Sequence, residues 1–104
     1  MEEQYDVVWS DKAYQSLRHI HDFIAGDSPE GARNVVKELV KQTQTLDVLP
    51  RRNPLEPALK NAPVEYRFLL KWNYKIIYTI LEKDHIVLVV LVFDTRQNPK
   101  KLIL

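Results

Sequence analysis

Ile86-Val87-Leu88-Val89-Val90-Leu91-Val92-Phe93 is an unbroken apolar run, and its reading decides the fold. It is far shorter than the roughly 20 residues a helix needs to cross a bilayer. Valine and isoleucine dominate it, and their β-branched side chains favour a strand over a buried helix. A strand with one wet face would alternate apolar and polar residues; this one does not, so both its faces are expected to be covered. It reads as the central strand of a sheet. The run stops abruptly at Asp94-Thr95-Arg96-Gln97-Asn98-Pro99, a charged turn delivered by the most buried strand. Polar groups carried on loops from a rigid scaffold are a common way to build a site.

Two further strand patterns, Val64 to Trp72 and Tyr74 to Glu82, precede that run, divided by a tight turn at Asn73. Lys83-Asp84 turns the chain into the central strand, so the last three strands form an antiparallel meander. Residues 50–63 carry Pro50, Pro54, Pro57 and Pro63 and read as a loop. Further back, Ser10 caps a helix whose apolar residues are Ala13, Leu17, Ile20 and Ile24, closed by Gly26-Asp27. Ser28 caps a second helix with Pro29 at its first position. Its stripe runs from Ala32 through Val36, Leu39 and Thr43 to Leu46 and Leu49, and Pro50 stops it. Tyr5, Val7 and Trp9 alternate as a short first strand.

The order β-α-α-β-β-β over residues 1–104 predicts a single α+β domain, with a helical hairpin packed on one face of an antiparallel sheet. The first strand is free to pair beside the last, giving the order 1-4-3-2. The second face has no evident cover within the chain. Another copy, forming a homodimer, or a partner protein is expected there.

The 104 residues suffice for one modest core. The absence of cysteine excludes disulfides, thiolate metal sites and cysteine nucleophiles. Two glycines exclude phosphate-cradling glycine loops. The acidic Met1-Glu2-Glu3-Gln4 leads into no apolar signal region, so a cytoplasmic location without membrane association is expected. Net charge is +1, unevenly spread: residues 1–50 hold 5 Lys/Arg against 9 Asp/Glu, and residues 51–104 hold 10 against 5. That asymmetry predicts a positive face on the C-terminal elements.

Arg67 falls in phase with Glu65, Leu69 and Lys71, and Lys75 in phase with Ile77 and Thr79. This phasing predicts that the cations of the two strands share the uncovered face, where they would suit an anion or an acidic peptide. The ordinary alternative is solvated surface charge, with Arg96 simply pairing Asp94. Trp9 and Trp72 read as core or sheet-edge aromatics. His19 and His21 cannot face one way on a helix, so neither a metal site nor a cofactor is expected.

Five phrases occur in an order that resembles the RelE/ParE superfamily of type II toxin–antitoxin toxins. They are Tyr5-Asp6-Val7-Val8-Trp9-Ser10 before Ala13 and Leu17; Ser28-Pro29 before Ala32; Tyr66-Arg67; Asn73-Tyr74-Lys75-Ile76-Ile77-Tyr78; and Val92 to Pro99. The resemblance spans essentially the whole chain. It implies a growth-inhibiting toxin of the kind used in plasmid stabilization, neutralised by a cognate antitoxin whose disordered segment would cover the open face. ParE-like members poison DNA gyrase; RelE-like members cut mRNA on the ribosome, which would make the chain an enzyme. Carried over by position, the ribonuclease cations fall on Arg67, Lys75 and Arg96, as candidate catalytic groups. With Lys71 these are also the candidate antitoxin- or target-binding residues. At Lys75 the family's arginine fork is lost. After Arg96 the chain reads Gln97-Asn98-Pro99, without the aromatic or imidazole groups that some ribonuclease members carry. Cutting RNA through its 2′-hydroxyl needs a proton acceptor and a donor as well as cations. The missing pair, the Arg67 phrase and the modest charge place the chain nearer ParE. A ribosome-dependent ribonuclease and a non-toxic antitoxin-binding relative are the alternatives.

Overall fold

The computed structural model describes residues 3–104. Strand β1 (Asp6–Trp9) leads into helices α1 (Asp11–Ala25) and α2 (Pro29–Gln44), and then strands β2 (Arg67–Lys71), β3 (Tyr74–Leu81) and β4 (Ile86–Asp94). The sheet order is β1-β4-β3-β2, with the apolar run as an inner strand. The α+β architecture, a helical hairpin on a four-stranded sheet, is the one expected.

Local chemistry sets the helix starts. Ser10 Oγ accepts from the Ala13 amide at 3.0 Å, and Ser28 Oγ accepts from the Gly31 amide at 3.0 Å. Gly31 sits close against this cap: a Cβ at its position would lie 2.9 Å from Ser28 Oγ, so the serine hydroxyl would have to shift. α2 ends at Gln44, short of the expected Leu49, and tightens into a 3₁₀ turn at Thr45–Asp47. That turn still buries Leu46 completely. Leu49, at φ 50° ahead of Pro50, turns out into solvent instead of continuing the stripe.

The sheet is mixed. β2, β3 and β4 are antiparallel as expected, but β1 pairs parallel to β4, with Val7 opposite Val87 and Trp9 opposite Val89. The helical hairpin and the proline-rich loop together return the chain to the end from which β1 began. β2 therefore repeats the direction of β1, and β4, two antiparallel steps on, repeats it again. A crossover of this length is what a parallel neighbour requires.

β4 carries a bulge. Tyr78 pairs with Val89 and Ile77 with Leu91, so Val90 has no partner. Before the bulge Val87 and Val89 face the helices; after it Val92 does. The helix-side core joins these to Leu17, Leu39, Leu46, Ile76 and Tyr78. Beyond the bulge β1 no longer covers β4, and α1 takes over. Ser10 Oγ donates to the Val90 carbonyl and Ser16 Oγ accepts from the Val92 amide at 2.9 Å.

The second face is not bare, which corrects the sequence expectation. Ile77, Leu91 and Phe93 form a smaller core there with Leu102 from the C-terminal tail, flanked by Leu59 and Tyr66 from the loop side. Both faces of the apolar run are covered, the second by this chain's own loop and tail. No helix among the described residues is long and apolar enough to cross a membrane.

Candidate functional site

The β2–β3 turn decides where the candidate cations go. Lys71 pairs with Tyr74, so Arg67 pairs with Tyr78 and Lys75 with Leu70. Directly paired residues share a face. Arg67 and Lys71 therefore lie on the helix side with Tyr78 and Tyr74, and Lys75 lies on the second face. The structure does not bring Arg67 and Lys75 together on one surface, contrary to the phasing taken from the sequence. Each strand alternates correctly; their relative phase is fixed by a two-residue turn.

Arg67 is absorbed into the scaffold. Its side chain is 18% exposed, and Nη1 donates to the carbonyls of Asn53 at 2.7 Å and Arg51 at 3.2 Å. The same loop is held from below by Tyr78, whose hydroxyl donates to the Pro50 carbonyl and accepts from Asn53 Nδ2 at 3.1 Å. Burial pushes the Tyr78 hydroxyl pKa up.

Lys75 is absorbed too. Its ammonium sits 2.6 Å from Glu56 Oε1 and 3.1 Å from Oε2, and 4.4 Å from the centre of the Phe68 ring. Glu56 has no exposed side-chain surface. A buried carboxylate needs such a partner. Sequence reading missed Glu56; the available signal was a lone acid between Pro54 and Pro57 in an otherwise basic and apolar loop. The pair borders an open groove of about 390 Å³ lined also by Phe93, Pro99 and Leu102.

Arg96 stays at the surface, 64% exposed. Its Nε and Nη2 donate to the two oxygens of Asp94 at 3.0 and 2.7 Å, and its amide donates to Oδ1 at 2.9 Å. This fork holds the Asp94 pKa down to about 2, against the partial burial of the carboxyl. Asn73 Nδ2 also donates to Asp94 Oδ1 at 3.0 Å, and the Thr95 amide and hydroxyl both donate to the Asn73 carbonyl. The β2–β3 turn and the end of β4 are thus clamped to each other.

Lys71 stands beside that clamp. Its ammonium lies 3.5 Å from Glu38 of α2 and 4.9 Å from the centre of the Trp72 ring. Glu38 is held below the usual carboxylate range, mainly by the Gln42 amide and then by Lys71. Trp72 is neither core nor packed edge, being 54% exposed at the hairpin tip. A groove of about 360 Å³ runs from this end onto α1, lined by His19, Phe23, Tyr74, Asp94 and Arg96. His19 and His21 do not share a site with metal-ligand spacing among the described residues; the group with such spacing is Glu3, Glu82 and His85. Glu82 there already accepts from the Tyr5 hydroxyl at 2.6 Å and pairs Arg51 at 2.5 Å. The site as a whole can present cations and aromatics to a partner. It does not bring Arg67 and Lys75 onto one phosphate.

Residues 7–99 match the family described as the ParE toxin of the type II toxin–antitoxin system parDE. The chain belongs to that family. A solved structure, the chromosomal ParDE TA system from P. aeruginosa, shares its fold with a TM-score of 0.70 at 19% identity. The similarity covers 88% of this chain and 97% of that one. Comparison with curated proteins finds no sequence match.

Proposed function

We propose that this toxin acts in the cytoplasm by binding and inhibiting DNA gyrase, and that a cognate antitoxin neutralises it. The observation that carries the reading is the placement of Arg67 and Lys75 on opposite faces of the sheet, each bonded to acceptors of its own chain. A ribonuclease would need its cations to converge on one scissile phosphate, within reach of a proton acceptor and donor. The family match over residues 7–99 supports the same reading. Of the four candidate cations, Lys71 and Arg96 are the ones we assign to partner contact; Arg67 and Lys75 serve the scaffold.

Gyrase supercoiling measured with purified toxin, with and without its antitoxin, tests the proposal. Inhibition that the antitoxin reverses is expected, and induced cells should form filaments while bulk mRNA stays intact. Cleavage at codon positions in translated messages, with supercoiling untouched, would transfer the chain to the ribonuclease class.

A further inference from the structure

α2 carries a row of cations that the chain does not neutralise. Arg33, Lys37 and Lys41 recur at every fourth residue and are all exposed, so they stand along one side of the helix over roughly 12 Å. They are three of the five Lys/Arg among residues 1–50, the acidic half of the chain. None of them pairs with a carboxylate of the described residues. Glu38, the one acid between Arg33 and Thr45, is turned aside to Lys71 and to the Gln42 amide. α1 is built otherwise, since its Arg18 has Asp22 four residues on.

Arg52 lengthens the row. It is exposed, and its guanidinium donates to the Thr45 and Val48 carbonyls at 3.0 and 3.2 Å, which sets it just past Lys41 at the C-terminal end of α2. Lys41 and Arg52 complement the negative end of the helix, but Arg33 and Lys37 have no such partner. Like charges four residues apart weaken a helix, so folding does not account for the row.

The surroundings decide what the row can hold. The exposed large apolar side chains of the described residues lie on other elements, none of them on α2. Beside the cations stand Asn34 and Gln44, both exposed amides. A protein partner draws its binding energy from a dry apolar centre, which this side of α2 lacks. A phosphate backbone asks only for cations and polar donors such as Asn and Gln. We infer that Arg33, Lys37, Lys41 and Arg52 hold the phosphates of duplex DNA, without reading its sequence. The choice of DNA over RNA rests on the gyrase reading, because gyrase works on duplex DNA; the phosphate contact does not.

The test is fluorescence anisotropy of a short labelled DNA duplex with the purified full chain, titrated at several salt concentrations. The logarithm of the affinity should fall linearly with the logarithm of salt, with a slope of about −3 to −4 for three to four neutralised phosphates. Arg33→Gln, Lys37→Gln and Lys41→Gln should each flatten that slope by about 1. The triple variant should bind too weakly to saturate, while Lys83→Gln, at an exposed lysine of the β3–β4 turn, should bind like the wild type. Denaturation midpoints are taken alongside, and the three single variants carry the test should the triple lose stability. No saturable binding at low salt, or single variants with the wild-type slope, overturns the inference. Tighter binding of a polyglutamate peptide than of DNA overturns it as well, and makes the row a seat for an acidic protein segment. Tighter binding of duplex RNA overturns the choice of DNA. The assay contains no gyrase, so the two readings fail separately: inhibited supercoiling without DNA binding sinks this inference alone, and DNA binding without inhibition sinks the gyrase reading alone.

Discussion

Lys75 and Glu56, 19 residues apart in the chain, meet with an ammonium-to-carboxylate distance of 2.6 Å, and the glutamate side chain is wholly withdrawn from solvent. The pair pins the proline-rich loop to the middle of the sheet. Its two partners are unequal: Lys75 keeps 26% of its side chain exposed and Glu56 keeps none.

That inequality predicts an asymmetric response to substitution. Lys75→Met leaves a buried carboxylate without a partner and should lower stability by about 3–5 kcal/mol. The double variant Lys75→Met with Glu56→Leu removes both charges and should recover most of the loss. Urea denaturation of the singles and the double checks this. Equal losses in Lys75→Met and the double variant would show that the ion pair is not what holds the loop.

Asp94 and Arg96 give a second prediction, in the acid range. The Asp94 pKa is lowered to about 2 in the folded chain, from an ordinary 3.8. A depressed carboxyl favours the folded state above the unfolded pKa, and that contribution drains away as pH falls from near 3.8 toward 2. Arg96→Ala should move the Asp94 carboxyl resonance back toward the ordinary value in an NMR titration. It should change the neutral-pH midpoint little, since an ion pair this exposed is worth roughly 0–1 kcal/mol. A titration midpoint that stays near 2 in Arg96→Ala would assign the shift to Asn73 and the backbone instead.

Tyr5 supplies a third, at the other end of the scale. Its hydroxyl donates to Glu82 at 2.6 Å and Glu3 at 2.9 Å, which with burial pushes its pKa up to about 12. A raised phenol is stabilising below the unfolded value of 10, and that stability is lost as pH climbs from 10 through 12. Phenolate absorbance should therefore show a late-ionising component beside that of Tyr78, and this component should be lost in Tyr5→Phe. Glu82→Gln, which removes the first and largest cause, should bring the ionisation earlier. An unchanged curve in Tyr5→Phe would mean that the late group is another tyrosine.

The sequence carried the element order, the 1-4-3-2 arrangement and the inner position of residues 86–93, because β-branched runs, serine caps and prolines act locally. It did not carry relations between elements. The direction of β1 depends on where a long crossover returns, and the faces of Arg67 and Lys75 depend on turn length. The unpaired Val90 is invisible in an all-apolar run, where either phase of alternation looks the same. Of the site residues, Arg96 beside Asp94 was legible as a neighbouring charge pair. Glu56 was not, since a buried acid in a loop makes sense only once its lysine is seen across the sheet. Trp72 was legible as an aromatic but not as an exposed one, because its exposure follows from a left-handed turn that the letters Lys71-Trp72-Asn73 do not demand.

Ser10, the N-cap of α1, and Ser16 within it bond the outer side of β4 and limit how the sheet can grow there. β1 occupies that side up to Val89, and the Ser10 and Ser16 hydroxyls engage Val90 and Val92 beyond it. At the opposite margin, the Glu56 amide bonds the Tyr66 carbonyl and the Phe68 amide bonds the Pro54 carbonyl, so only the stretch around Leu70 lacks such a cover among these positions. An incoming strand would find at most a short landing there, too brief to seed a ribbon of stacked copies. The most aggregation-prone eight residues of the chain are thereby locked inside the sheet, away from its two edge strands β1 and β2.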